Sequence, residues 1–233
     1  LGYDLYEKNT GGASPRGKIT RATYASTDAP GQFVIGFHTE FAYQCVRPSM
    51  ISFFCDLAPT RFGETPIFDC AAVLDGLSAG LRAKLRSKRI RYTRFFSGRK
   101  RSIVNFRKRW EDVYFTSERR DVEQTLERDG IAFEWDRHGN LRTEHIAPAT
   151  VIDPATGREC LNVAIFNGDT FAYNLERFPE RTSLCKRRLV QWLMRREARK
   201  HDTFLHTTYG DGSALTREES EEIQKAEKTV LKE

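Results

Sequence analysis

Phe33-Val34-Ile35-Gly36-Phe37-His38-Thr39-Glu40 is the stretch on which the reading of this chain turns. Its apolar run is rich in β-branched and aromatic residues and follows the turn signal Asp28-Ala29-Pro30-Gly31, which predicts a strand entering a core. Side chains two apart on a strand share a face, so His38 and Glu40 would present an imidazole and a carboxylate side by side. Two such ligands on one face make half of a two-histidine, one-carboxylate metal site. A His-x-Glu pair alone fits a hydrogen-bonded structural histidine as well, so the surrounding sequence has to decide.

The chain has 233 residues, enough for one large domain with a well-buried core. Its 39% hydrophobic and 30% charged content describes a globular chain and excludes the disordered and membrane classes. No apolar run approaches the length that spans a bilayer, and no basic region followed by an apolar stretch opens the chain, so neither a membrane span nor a signal peptide is expected. Five cysteines, an odd number without C-x-x-C spacing, argue against a disulfide framework or a zinc ribbon. A reducing, cytoplasmic setting is the expectation.

The net charge of +6 is local in origin. Thirteen Lys or Arg and no acid lie between Arg82 and Arg109, which leaves 25 basic against 32 acidic residues elsewhere. Tyr92, Phe95, Phe96 and Phe106 are interleaved with these charges, as on a nucleic-acid surface. A solvated basic face explains the same pattern and is preferred, so a nucleic-acid role is not expected.

Along the chain, Thr20 to Tyr24, Ile51 to Leu57 and Thr65 to Phe68 read as strands, and Asp69 as the cap of a helix through Leu74. Ala79 to Lys88 reads as a helix burying Leu81 and Leu85, and Ile90 to Phe96 as a strand with one wet face. Helices follow at Trp110 to Phe115 and at Ser117 to Arg128, the second capped by Ser117 and stopped by Gly130. Two hairpins come next, Ile131 to Ile146 and Ala149 to Phe166. A basic helix, Arg181 to Lys200, would turn Leu184, Leu189, Trp192 and Leu193 inward, and a charged helix runs from Thr216 to Leu231.

Several motifs occur in one order: Gly11-Gly12-Ala13-Ser14-Pro15-Arg16, Tyr24-Ala25-Ser26-Thr27, Phe37-His38-Thr39-Glu40-Phe41-Ala42-Tyr43, Ile51-Ser52-Phe53-Phe54-Cys55, and Phe62-Gly63-Glu64-Thr65-Pro66-Ile67 with Asp69. Leu141-Arg142-Thr143, Ile165-Phe166-Asn167 and Tyr209-Gly210-Asp211-Gly212-Ser213 continue the series. In that order the chain resembles the TauD/TfdA family of Fe(II)/2-oxoglutarate-dependent dioxygenases, in its SyrP-like and clavaminate-synthase-like branch.

The resemblance implies a mainly β fold with peripheral helices, a double-stranded β-helix or cupin-like jelly-roll, as a single domain over 1–233 with helical and hairpin insertions in 69–200. It implies Fe(II) held by His38 and Glu40, with 2-oxoglutarate as co-substrate and the Thr65 hydroxyl on its distal carboxylate. Asn167 falls where the family meets its substrate, and its amide would suit an amino-acid head group. The implied reaction is oxidation, most simply hydroxylation, of an unactivated carbon in an amino acid or similar small polar molecule, free or carried on a protein. Asp211 matches the family's aspartate, although a turn between glycines explains it equally. His206 is the one further histidine worth following. The family's second iron-binding histidine and its co-substrate arginine follow a strand beyond the last helix, and neither is matched here. The chain is therefore expected to lack its C-terminal strands and to bind iron weakly by itself. The competing reading is a catalytically inactive jelly-roll that binds nucleic acid or an acidic protein through residues 82–109.

Overall fold

A computed structural model describes residues 19–20, 23–24, 38–45, 47–58, 60, 65–98, 108–165, 188, 192 and 205–231. Helix α1 (Cys70–Asp75) starts where Asp69 accepts hydrogen bonds from the amides of Ala71 and Ala72, which would otherwise be left without an acceptor. Ser78 caps α2 (Ala79–Lys88) in the same way, and Leu81 and Leu85 turn into the core as the four-residue spacing predicts.

Strand β1 (Ile90–Phe96) is the centre of the fold. It lies antiparallel between β3 (Leu141–Ala147) and β6 (Leu205–Tyr209), with β2 (Ala132–Trp135) beyond β3, giving the order β2-β3-β1-β6. The β2–β3 hairpin follows the prediction, while β6 was not anticipated between two helical segments. Strands β4 (Thr150–Ile152) and β5 (Glu159–Leu161) form a separate hairpin, packed through Leu161 on the main core. The described strands thus make an antiparallel sheet and a hairpin, and they do not close into a double-stranded β-helix.

Two apolar clusters fill the interior. One gathers Leu74, Leu85, Ile90, Tyr92, Tyr209 and Ile223; the other gathers Phe96, Leu141, Trp110 and Val113 of α3 (Trp110–Tyr114), and Val122 and Leu126 of α4 (Arg119–Arg128). Residues 90, 92, 94 and 96 share one face of β1, so Arg94 falls between the clusters. It is 4% exposed, with its guanidinium 5.2 Å from the Tyr43 ring centre and 4.7 Å from that of Phe96. The aromatic faces stabilise a cation that stands on the same strand face as Ile90, Tyr92 and Phe96. The opposite face of β1 is only partly wet, with Arg91 and Phe95 half-buried and Thr93 buried, because the strand is paired on both edges.

Helix α5 (Arg217–Val230) begins with a capping box in which Thr216 and Glu219 satisfy each other's backbone amides. It buries Ile223 and Ala226 against α1 and α2. Four other expectations change. Residues 51–57 and 65–68 lie in no strand, and Phe54, Leu57 and Ile67 are exposed, because no strand among the described residues pairs with them. Glu118, rather than Ser117, occupies the cap position of α4. Trp192 is exposed rather than inward, on the same side of its helix as the exposed Arg188 one turn earlier; the rest of 181–200 lies outside the described residues. No helix among the described residues is long and apolar enough to cross a membrane.

Candidate functional site

His38 and Glu40 meet. Nε2 of His38 lies 3.2 Å from Oε2 of Glu40, and both side chains are about one-third exposed, at 28% and 31%. The strand expected to align them does not extend here: residues 38 and 39 are irregular and Glu40 opens a turn through Tyr43. That turn is closed by the Ala42 amide donating to the Thr39 carbonyl, with Phe41 in the left-handed region at φ 55. Residues 33–37 lie outside the described residues.

The intervening residue holds the pair in place. Thr39 donates its amide to the Val163 carbonyl at 3.2 Å and its hydroxyl to the Leu161 carbonyl at 3.4 Å, docking the segment along the end of β5. Cys70, at the start of α1, lies against Thr39 and its thiol is held above the ordinary value, chiefly by burial. Behind the turn, Tyr43 packs edge-on to Tyr92, whose hydroxyl accepts from the Ala164 amide at 3.1 Å.

A third titratable group faces this place from α5. Glu227 is 8% exposed and burial pushes its carboxyl up to about 7, with His38 and Lys228 pulling the other way. Its signal is legible in sequence: positions 220, 223, 226, 227 and 230 share one helix face, and Glu227 is the charge on it. Among the described residues, however, no three His, Cys, Asp or Glu side chains are gathered closely enough to hold a metal ion.

The other predicted residues divide. Thr65 is exposed in the segment leading to α1. Asn167 lies outside the described residues. His206 sits half-buried in β6 opposite Thr93 and completes no ligand set with His38 and Glu40. Asp211 serves the turn: it ion-pairs with Lys88 at 2.6 Å and accepts from the Ser213 amide and hydroxyl. These contacts, Lys88 first, hold its carboxyl well below the usual range.

Among the described residues, six side chains of the basic run pair with acids that lie outside it. Arg82 pairs with Asp75, Lys84 with Glu219, Arg86 with Glu159, Lys88 with Asp211, Arg91 with Glu144 and Arg109 with Asp112. Residues 99–107 lie outside the described residues.

A donor set of one imidazole nitrogen and one carboxylate oxygen suits a divalent first-row metal. Ligands at about 2.1 Å on adjacent corners of an octahedron stand about 3 Å apart, close to the separation observed here. The separation of the two donor atoms is therefore compatible with one edge of such a site.

Comparison with known proteins matches residues 4–203 to the family described as "Taurine catabolism dioxygenase TauD, TfdA family". A dapdiamide synthesis protein, DdaC, of Enterobacter agglomerans is 33% identical over 147 residues, which cover 63% of this chain and 43% of that protein. A clavaminate synthase-like protein of Arabidopsis thaliana is 25% identical over 209 residues, covering 88% of this chain and 56% of its own. The chain spans about half the length of the curated relatives it matches.

Proposed function

Because this chain belongs to the TauD/TfdA dioxygenase family, we propose that it works in Fe(II)- and 2-oxoglutarate-dependent oxidation, most simply hydroxylation, of an unactivated carbon in a small amino-acid-like substrate. The observation that carries the reading is the His38–Glu40 pair, 3.2 Å apart and held through Thr39. In this proposal His38 donates a neutral imidazole and Glu40 an ionised carboxylate to one edge of the metal's shell, and the third ligand comes from outside the described residues. The bound iron and co-substrate would supply oxygen activation and carbon–hydrogen cleavage. The protein's share is positional: the Thr39 bonds fix the ligand pair, and the surrounding buried tyrosines keep bulk water from its inner side.

Thr65 remains the proposed donor to the distal carboxylate of 2-oxoglutarate, and Asn167 the proposed contact to substrate, both on family likeness. The double-stranded β-helix is likewise proposed from family membership. That one relative is named for dapdiamide synthesis supports a small-molecule substrate. A carrier-bound form of that substrate is compatible with the same site. The inactive binding-module reading is disfavoured, because six of the described arginines and lysines of 82–109 pair with acids within the fold.

The deciding experiment is anaerobic Fe(II) titration followed by 2-oxoglutarate decarboxylation, comparing the wild-type protein with His38→Ala and Glu40→Ala. Loss of both signals in both variants, with the fold intact by circular dichroism, supports the reading. Near-native decarboxylation in either variant overturns it.

A further inference from the structure

We propose that Arg47 is an anion-recognising residue that holds a carboxylate of the small amino-acid-like substrate beside the His38–Glu40 pair. The identity of that ligand as a substrate rests on the proposed function; the capacity of Arg47 to take a carboxylate rests on the fold alone. Arg47 follows the Glu40–Tyr43 turn and is half-buried. Its Nη1 donates to Oδ1 of Asn162. Asn162 is 2% exposed and is itself fixed, its Nδ2 donating to the Pro148 carbonyl at 2.9 Å and its amide to the Ala149 carbonyl at 2.8 Å. A guanidinium presents its N–H donors as a planar fork, and a bond made by Nη1 leaves the Nε–Nη2 edge, which takes a carboxylate through two parallel bonds. Among the described residues no carboxylate pairs with Arg47, whereas Arg86, Arg91, Arg142 and Arg158 each have one.

Asn162 sets that cation next to the proposed ligands. Thr39 hangs on the carbonyls of Leu161 and Val163, and Arg47 hangs on the side chain of Asn162 between them. The two anchors are consecutive residues, about 3.8 Å apart along the chain, so the ligand pair and the guanidinium are fixed to one short scaffold. Tyr92 stands on the inner side of Arg47: burial holds its hydroxyl well above the ordinary value, and the Ala164 amide and then the Arg47 charge draw it back. Tyr92 is 1% exposed, so the inner side is closed and an anion meets the guanidinium from solvent. A substrate ion-paired there at its carboxylate end keeps its other end free for the metal edge. An uncharged analogue leaves a partly desolvated cation without its partner and is rejected.

The probes are N-acetylglycine, which carries a carboxylate, and N-acetylglycinamide, its uncharged match, titrated into the metal-free full chain and followed by saturation-transfer NMR. We expect the acid to bind at least tenfold more tightly than the amide. The same preference is expected in the His38→Ala/Glu40→Ala double variant, so failure of the oxygenase reading and failure of anion recognition are read separately. Arg47→Gln should abolish the preference, and Arg47→Lys, which keeps the charge but loses the fork, should retain part of it, with circular dichroism showing that both variants fold. Absence of binding by the wild-type protein, equal binding of acid and amide, or an undiminished preference in Arg47→Gln overturns the proposal.

Discussion

Thr39 donates its amide to the Val163 carbonyl at 3.2 Å, so the residue between the two proposed ligands is anchored to the end of the β4–β5 hairpin. The Thr39 hydroxyl adds a second bond, to Leu161. Removing only the hydroxyl, in Thr39→Val, leaves the backbone anchor and should weaken Fe(II) binding by less than about tenfold, the lower end for an outer-shell change. His38→Ala and Glu40→Ala should abolish measurable binding. Anaerobic Fe(II) titration ranks the three variants, and a Thr39→Val effect as large as that of His38→Ala would contradict the assigned roles.

Glu227 makes the metal-free chain sensitive to mild alkali. In the folded state its carboxyl keeps a proton up to about pH 7, against about pH 4.5 when unfolded, so the folded state binds more protons between those values. Stability therefore falls as pH rises through that window and stays lower above it, by up to about 3 kcal/mol. Glu227→Gln should remove the loss: near wild type at acid pH, more stable above neutrality. Urea unfolding on both sides of the window checks this, and a variant less stable at both would show that Glu227 is held by favourable bonds in its charged form.

Gly210 touches the end of α2. A Cβ placed on it would stand 2.4 Å from the Lys88 carbonyl oxygen, and its amide donates to that same oxygen at 3.0 Å. Gly210→Ala must shift backbone to relieve the clash and should cost about 1–3 kcal/mol. Gly212→Ala meets nothing within 4 Å but carries φ +86, so its cost is conformational and should be nearer about 1 kcal/mol. Thermal unfolding of the pair should place Gly210→Ala lower.

The ion pairs of the basic run predict weak affinity for nucleic acid. Charges already matched within the fold release few counterions, so any binding should fade as salt rises toward physiological strength. Filter binding across a salt series tests this; tight, salt-tolerant binding lost on charge reversal of Arg99, Lys100 and Arg101 would restore the binding-module reading.

Local signals in this sequence determined local structure well. Asp69, Ser78 and Thr216 cap the helices that follow them, and the bounds of α2 and β1 are those that periodicity predicts, because capping and side-chain spacing act within a few residues. The ordered motifs also determined the family and singled out His38 and Glu40. Tertiary structure alone decided what depends on long-range neighbours: that Arg94 is buried between two aromatic rings, that residues 51–57 lie in no strand, and that Glu227 of the last helix faces His38. It also decided which acids pair with Arg82, Lys84, Arg86, Lys88 and Arg91 of the basic run. Burial and charge compensation are set by which surfaces the sheet order brings together, and a one-dimensional pattern does not contain that order.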